Sequence, residues 1–159
     1  DFTTYSTGRN DLPSSVYWAS NALNTPTALA STATAYGDGL RFVDMSCSFK
    51  HCVAVTVGGH VVSWGGSSPS VDAGLLGRSD SSTAPARLVS AIASVQVVAV
   101  HALGSTSTVG TIALDSTGAV WQWSQSASTP AIVSTLSGQT ITKISTQGLL
   151  LLAVCKLNR

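Results

Sequence analysis

The feature that most constrains this chain is an internal repeat. Residues 42–65 (FVDMSCSFKHCVAVTVGGHVVSWG) return, blurred, in residues 97–124 (VVAVHALG, a seven-residue insert, then IALDSTGAVWQWS). Trp64 and Trp123, Gly59 and Gly118, and Pro26 and Pro85 are each 59 residues apart. A fixed period of this size marks a repeat architecture. Each unit must then supply its own secondary structure and bury its apolar faces against its neighbours.

The grammar of one unit is β throughout. Val43, Met45 and Cys47 alternate with Asp44 and Ser46, as in a half-buried strand. A tight connection, Ser48-Phe49-Lys50, leads to a second strand over residues 51–57. Gly58-Gly59 supplies the positive φ of a two-residue hairpin, and a third strand runs over residues 60–64 to Gly65. A Ser/Pro/Gly-rich stretch, Leu75-Leu76-Gly77 and then Pro85 close the unit. Helical periodicity is nearly absent; only residues 15–23 read as a turn or two of helix. The third unit stops after two strands, near residues 140–145 and 149–154. Residues 4–10 read like the end of a preceding Trp-Gly strand.

These motifs resemble the repeat of the regulator-of-chromosome-condensation family, the RCC1-like β-propellers. The family slots are filled in the first full unit by Phe42-Val43, His51, Ala54-Val55, Gly59, Val61-Val62-Ser63-Trp64-Gly65, Leu76-Gly77 and Pro85. The second unit fills them with Val97-Val98, Gly104, Ala113-Leu114, Gly118 and Val120-Trp121-Gln122-Trp123. It departs from the pattern in lacking the histidine after Gly104, in its longer turn and in having Ser124 where glycine is expected. The resemblance implies an all-β fold of four-stranded antiparallel blades in an incomplete ring. The units span residues 1–25 (the tail of a preceding unit), 26–84, 85–129 and a truncated 130–159. A full family ring has seven blades, so a fragment of a longer chain, or closure by another subunit, is expected. His51, Gly59, Trp64, Gly65, Gly77, Gly104, Gly118 and Trp123 are the repeat's structural positions.

Composition narrows the function. Only 9% of residues are charged, against about 25% in ordinary domains, and mean hydropathy is +0.31. Much of the surface is therefore expected to be covered by the rest of a propeller or by partners, with hydroxyls replacing charges elsewhere. The net charge of +1 is scattered, which leaves no electrostatic footprint for direct nucleic-acid binding. Residues 149–155 form the longest apolar run, too short to span a bilayer. Three cysteines, an odd and low count, argue against a disulfide framework and fit an intracellular setting. Cys47 and Cys52 flank one turn and would approach across two strands, but they read as small buried apolar thiols and not as a disulfide.

Chemistry-bearing clusters are thin. Cys47, His51, Cys52 and His60 fall within fourteen residues, but His51 and Cys52 are adjacent in a strand and point to opposite faces. No metal and no cofactor are expected, and His51 reads as a structural residue bonding backbone near its turn. Asp44, Cys47 and His51 offer the residue types of a nucleophilic triad, yet repeat position accounts for each. The seven acidic residues are all aspartates, none paired at an acid/base spacing, and Asp115 reads as a turn residue. A non-catalytic protein-interaction scaffold is therefore expected, a propeller segment within a large assembly. Phe49, Lys50, Arg78, Asp80 and Trp18 are the candidate partner contacts. The alternatives are a guanine-nucleotide exchange factor for a Ran-type small GTPase and a propeller-type protein inhibitor.

Overall fold

A computed structural model describes residues 5–6, 27–28, 42–48, 50–65, 73–78, 87–104, 109–147 and 150–156. Twelve strands lie among these described residues: β1 (Tyr5–Ser6), β2 (Thr27–Ala28), β3 (Phe42–Cys47), β4 (His51–Thr56), β5 (Val61–Gly65), β6 (Arg87–Leu88), β7 (Val97–Gly104), β8 (Val109–Asp115), β9 (Val120–Ser124), β10 (Ala131–Ile132), β11 (Ile141–Gln147) and β12 (Leu150–Cys155). Two antiparallel four-stranded sheets run β3-β4-β5-β6 and β7-β8-β9-β10. A third contains β11 and β12, and β1 pairs with β2. Three one-turn 3-10 segments, Ala73–Leu76, Ser90–Ile92 and Ser134–Leu136, are the helical structure among the described residues. The expected all-β class of four-stranded antiparallel sheets is what the structure shows.

Successive sheets are built alike. The second and third strands of each four-stranded sheet join through a glycine at φ +78 (Gly59) or +89 (Gly118). The same two backbone bonds close both turns: Gly59 and Gly118 N–H donate to Thr56 and Asp115 carbonyls, and Thr56 and Asp115 N–H to His60 and Ala119 carbonyls. The opening strands share an irregularity as well. Register shifts between Phe42 and Asp44, between Val97 and Ala99, and between Ile141 and Lys143. A bulge of this kind leaves one residue unpaired and twists the strand. The skipped residues, Val43, Val98 and Thr142, are all exposed.

The sheets stack face to face. Val53, Val55 and Val61 of the first sheet pack with Val97, Val100, Ala113 and Trp123 of the second, closed at one end by Val89 and Ile92. Ile112, Leu114 and Val120 on the other face of the second sheet pack with Ile141 and Ile144 of the third. Burying both faces explains why β4 is a continuous run of buried residues and not an alternating one. Backbone bonds fasten the joints at matching points: Val97 N–H donates to the Gly59 carbonyl and Ile141 N–H to the Gly118 carbonyl, each at 3.0 Å.

Candidate interaction surface

Polar side chains hold the first and second sheets together. Asp44 and Ser46 are the polar positions that alternate with apolar ones along β3. Val100 N–H donates to Asp44 Oδ2 at 2.9 Å, and Ala102 N–H to Ser46 Oγ at 3.0 Å. Side chains of one sheet thereby satisfy the free edge of the next, where an orphan N–H would be costly. His51 is fully buried. Its Nδ1 lies 2.9 Å from Ser48 Oγ and its Nε2 lies 2.7 Å from Thr111 Oγ1 on β8. The sequence pointed to backbone partners near the turn; the two ring nitrogens meet hydroxyls, one of them on the neighbouring sheet. Ser48 fixes the turn itself, accepting from Lys50 and His51 N–H at 3.3 Å each.

The outer part of the joint depends on Trp123. Its Nε1–H donates to the Leu75 carbonyl at 2.9 Å, and Ser63 Oγ–H donates to the Leu76 carbonyl at 2.7 Å. The Leu-Gly turn is thereby held against the indole. Gly77 has φ +64, and a Cβ there would stand 2.8 Å from Trp123 Nε1. The equivalent Trp64 stacks near Phe42, ring centroids 6.4 Å apart. Its buried N–H finds no hydrogen-bond partner among the described residues.

Two of the second unit's departures from the repeat pattern, the missing histidine and Ser124, fall at one cross-strand pair. His51 pairs with Gly65 across β4 and β5, and Gly110 pairs with Ser124 at the equivalent place. A Cβ on Gly65 would meet His51 Cα at 2.9 Å, and one on Gly110 would meet the Trp123 carbonyl oxygen at 2.8 Å. Each pair has room for one side chain, so the glycine changes strands between units.

The cysteine expectation needs correction. Cys47 and Cys52 form a disulfide, and Cys155 is the free cysteine. The two residues are directly opposed in the β3–β4 register, so both side chains leave the same face. An odd total count does not bear on a pair placed in this way.

Of the proposed contact residues, Phe49, Asp80 and Trp18 lie outside the described residues, as do residues 15–23. Lys50 is half-buried at its turn. Arg78 is only 6% exposed, unlike the exposed loop residue the sequence pointed to. It borders an open cavity of about 250 Å³ shared with Gly77, Ser90, Ala91, Ser128 and Thr129. Among the described residues no three His, Cys, Asp or Glu side chains gather as metal ligands, and no helix is long and apolar enough to cross a membrane. Gly104 closes β7, with its partner Val109 opposite.

Asp115 organises the second hairpin. Its Oδ1 accepts from Thr117 N–H (2.8 Å), Thr117 Oγ1–H (2.6 Å) and Ala119 N–H (3.0 Å), and its Oδ2 from Trp121 Nε1–H (2.9 Å). Burial pushes the carboxyl up, but bonds from the Thr117 and Trp121 side chains and the two amides outweigh it and hold it below the ordinary 3.8. A group depressed on folding stabilises the fold above its unfolded pKa, and that stability disappears as pH falls through the folded value. Acidification below about pH 4 should therefore lower Tm more in the wild type than in Asp115→Asn. Parallel melting curves would refute this assignment.

Comparison with known proteins places this geometry. No protein-family model matches the sequence, and neither does any curated protein. Solved structures do match. Prp20p of Saccharomyces cerevisiae superposes with a TM-score of 0.67 at 19% identity, over 95% of this chain and 38% of that one. The same yeast protein, RCC1 (Prp20), in its complex with Kap60 gives 0.64 at 18% identity, over 95% and 37%. Human WBSCR16 gives 0.58 at 16% identity, over 72% and 30%. The chain has the RCC1-like β-propeller fold. It spans 30–38% of the length of these proteins, so its sheets form an incomplete ring.

Proposed function

We propose that the chain is a non-catalytic protein-interaction scaffold, a propeller segment that works within a larger chain or assembly. The observation that carries this reading is where the polar side chains are used. His51, Asp44, Ser46, Ser63, Trp123 and Asp115 are all engaged in holding sheets or turns. What faces outward is a rigid stack bordered by turns, and recognition is commonly carried by loops on a rigid frame. Relatives in fold support it: Prp20p binds Gsp1p and histones, and yeast RCC1 binds Kap60. An intracellular setting rests on the low cysteine count. The Cys47–Cys52 bond is the observation that presses against it, because disulfides persist mainly in oxidising compartments.

The test places a photo-crosslinker at Lys50, and separately at Ser128, in the protein as it occurs naturally. Protein adducts that unlabelled chain competes away are expected. The exchange-factor alternative is read in parallel from GDP release by a Ran-type GTPase. Acceleration by the chain would replace the scaffold reading, because fold alone does not set activity. The protein-inhibitor alternative would be favoured if the adduct were a single hydrolase whose activity the chain abolished.

A further inference from the structure

We propose that the Cys47–Cys52 bond is a reversible thiol–disulfide exchange site, with a dithiol reductant as its reaction partner, whose state sets how tightly the first two sheets are joined. Four observations lead there. The bond spans a sequence separation of only 5, and short loops gain least from a cross-link. Its turn is already fixed, since Ser48 Oγ accepts from two amides and also donates to the His51 carbonyl at 3.3 Å. The repeat does not require it, because the same register position is Ala102 opposite Thr111 in the second sheet and Thr146 opposite Leu151 in the third. Lastly, the two cysteines are not equivalent. Cys47 is exposed and Cys52 is fully buried.

That asymmetry fixes the direction of the chemistry. A thiolate of the dithiol attacks Cys47 Sγ and forms a mixed disulfide. The Cys47–Cys52 bond breaks, and Cys52 Sγ leaves with the electron pair and takes a proton from water. The second thiol of the reductant then attacks its own sulfur in the mixed disulfide. Cys47 is released as a thiolate, and the reductant departs as a cyclic disulfide. Two electrons pass to the protein, and a disulfide such as oxidised glutathione reverses the sequence.

The consequence passes through the neighbouring residue. Two unbonded sulfurs must sit at van der Waals distance, so the strand ends separate at Cys47 and Cys52. His51, adjacent to Cys52, carries the buried bond to Thr111, and Ser48, adjacent to Cys47, holds the other side of its ring. Reduction therefore loosens the His51 clamp between the sheets.

The experiment uses the natural protein carrying Cys155→Ser, equilibrated without denaturant in graded dithiothreitol and then re-oxidised with oxidised glutathione. Alkylation and peptide mass read the bond, and hydrogen exchange reads the joint. Expected are reversible opening in the folded protein, a mixed adduct trapped on Cys47, and exchange about tenfold faster at residues 51–56 and Thr111 with β11 and β12 unchanged. Thr111→Val should abolish the redox dependence on the β8 side while leaving the bond equally reducible. A bond that opens only on global unfolding, or that opens with Thr111 exchange unaltered, overturns the proposal.

Discussion

Replacing Trp123 by alanine is expected to cost about 4–8 kcal/mol, the sum of a buried Trp→Ala truncation and an orphaned buried carbonyl. Trp123 is almost fully buried in the cluster that joins the first two sheets. It is also the donor to the Leu75 carbonyl. Whole-domain stability is about 5–15 kcal/mol, so this one substitution removes a large share of it. Trp123→Phe separates the two contributions. It keeps most of the apolar contact and loses the donor, and should cost about 1–3 kcal/mol. Urea unfolding of both variants checks this. Equal losses would mean that the hydrogen bond, and not the packing, dominates the joint.

Gly118→Ala is expected to destabilise by about 3 kcal/mol, combining left-handed backbone strain with a steric clash. At φ +89, the added methyl carbon would stand 2.8 Å from Thr140 Cγ2, 2.9 Å from Ile141 N and 3.0 Å from Ile141 O. Ile141 N–H is the group that bonds the Gly118 carbonyl, so the clash strikes the fastening between the second and third sheets. Gly138 provides the control. It shares the left-handed conformation, with φ +82, but a Cβ there meets nothing within 4 Å. Gly138→Ala should therefore show only the strain, about 1 kcal/mol. Thermal or urea melts of the pair decide the matter: similar losses would show that the Ile141 contact is not rigid.

Much of this architecture was written in spacing. Gly59 and Gly118 announced their hairpins because few residues but glycine adopt their φ. Trp64 and Trp123 announced a buried position because they recur at one place in the repeat. The joint chemistry was harder to read. Asp44 and Ser46 look like the solvent side of an amphipathic strand, and only the stacking of a second sheet reveals that they face its amides. Thr111 carries no signal of its own; it becomes a partner because β8 passes beside the His51 ring. The missing histidine and the misplaced serine of the second unit look like decay of the pattern until the strand register pairs Gly110 with Ser124. The disulfide escaped for a similar reason. Cysteine counts address frameworks, whereas this bond depends on two residues being opposed at the end of one hairpin. Arg78 reads as a loop residue by its neighbours in sequence, and only the fold places it, buried, at the wall of a cavity.

The third sheet shows what each sheet receives from the next. By register, Leu152 and Val154 occupy the positions of Val53 and Val55 in the first sheet and of Ile112 and Leu114 in the second. Those four are buried, whereas Leu152 is 62% and Val154 49% exposed. In a linear array each unit's stability is its own plus that of its contacts with neighbours. Leu152 and Val154 thus stand on the face through which the other two sheets gain that contact term. The 59-residue period therefore sets the spacing at which one sheet's stability is coupled to another's, as well as a shape.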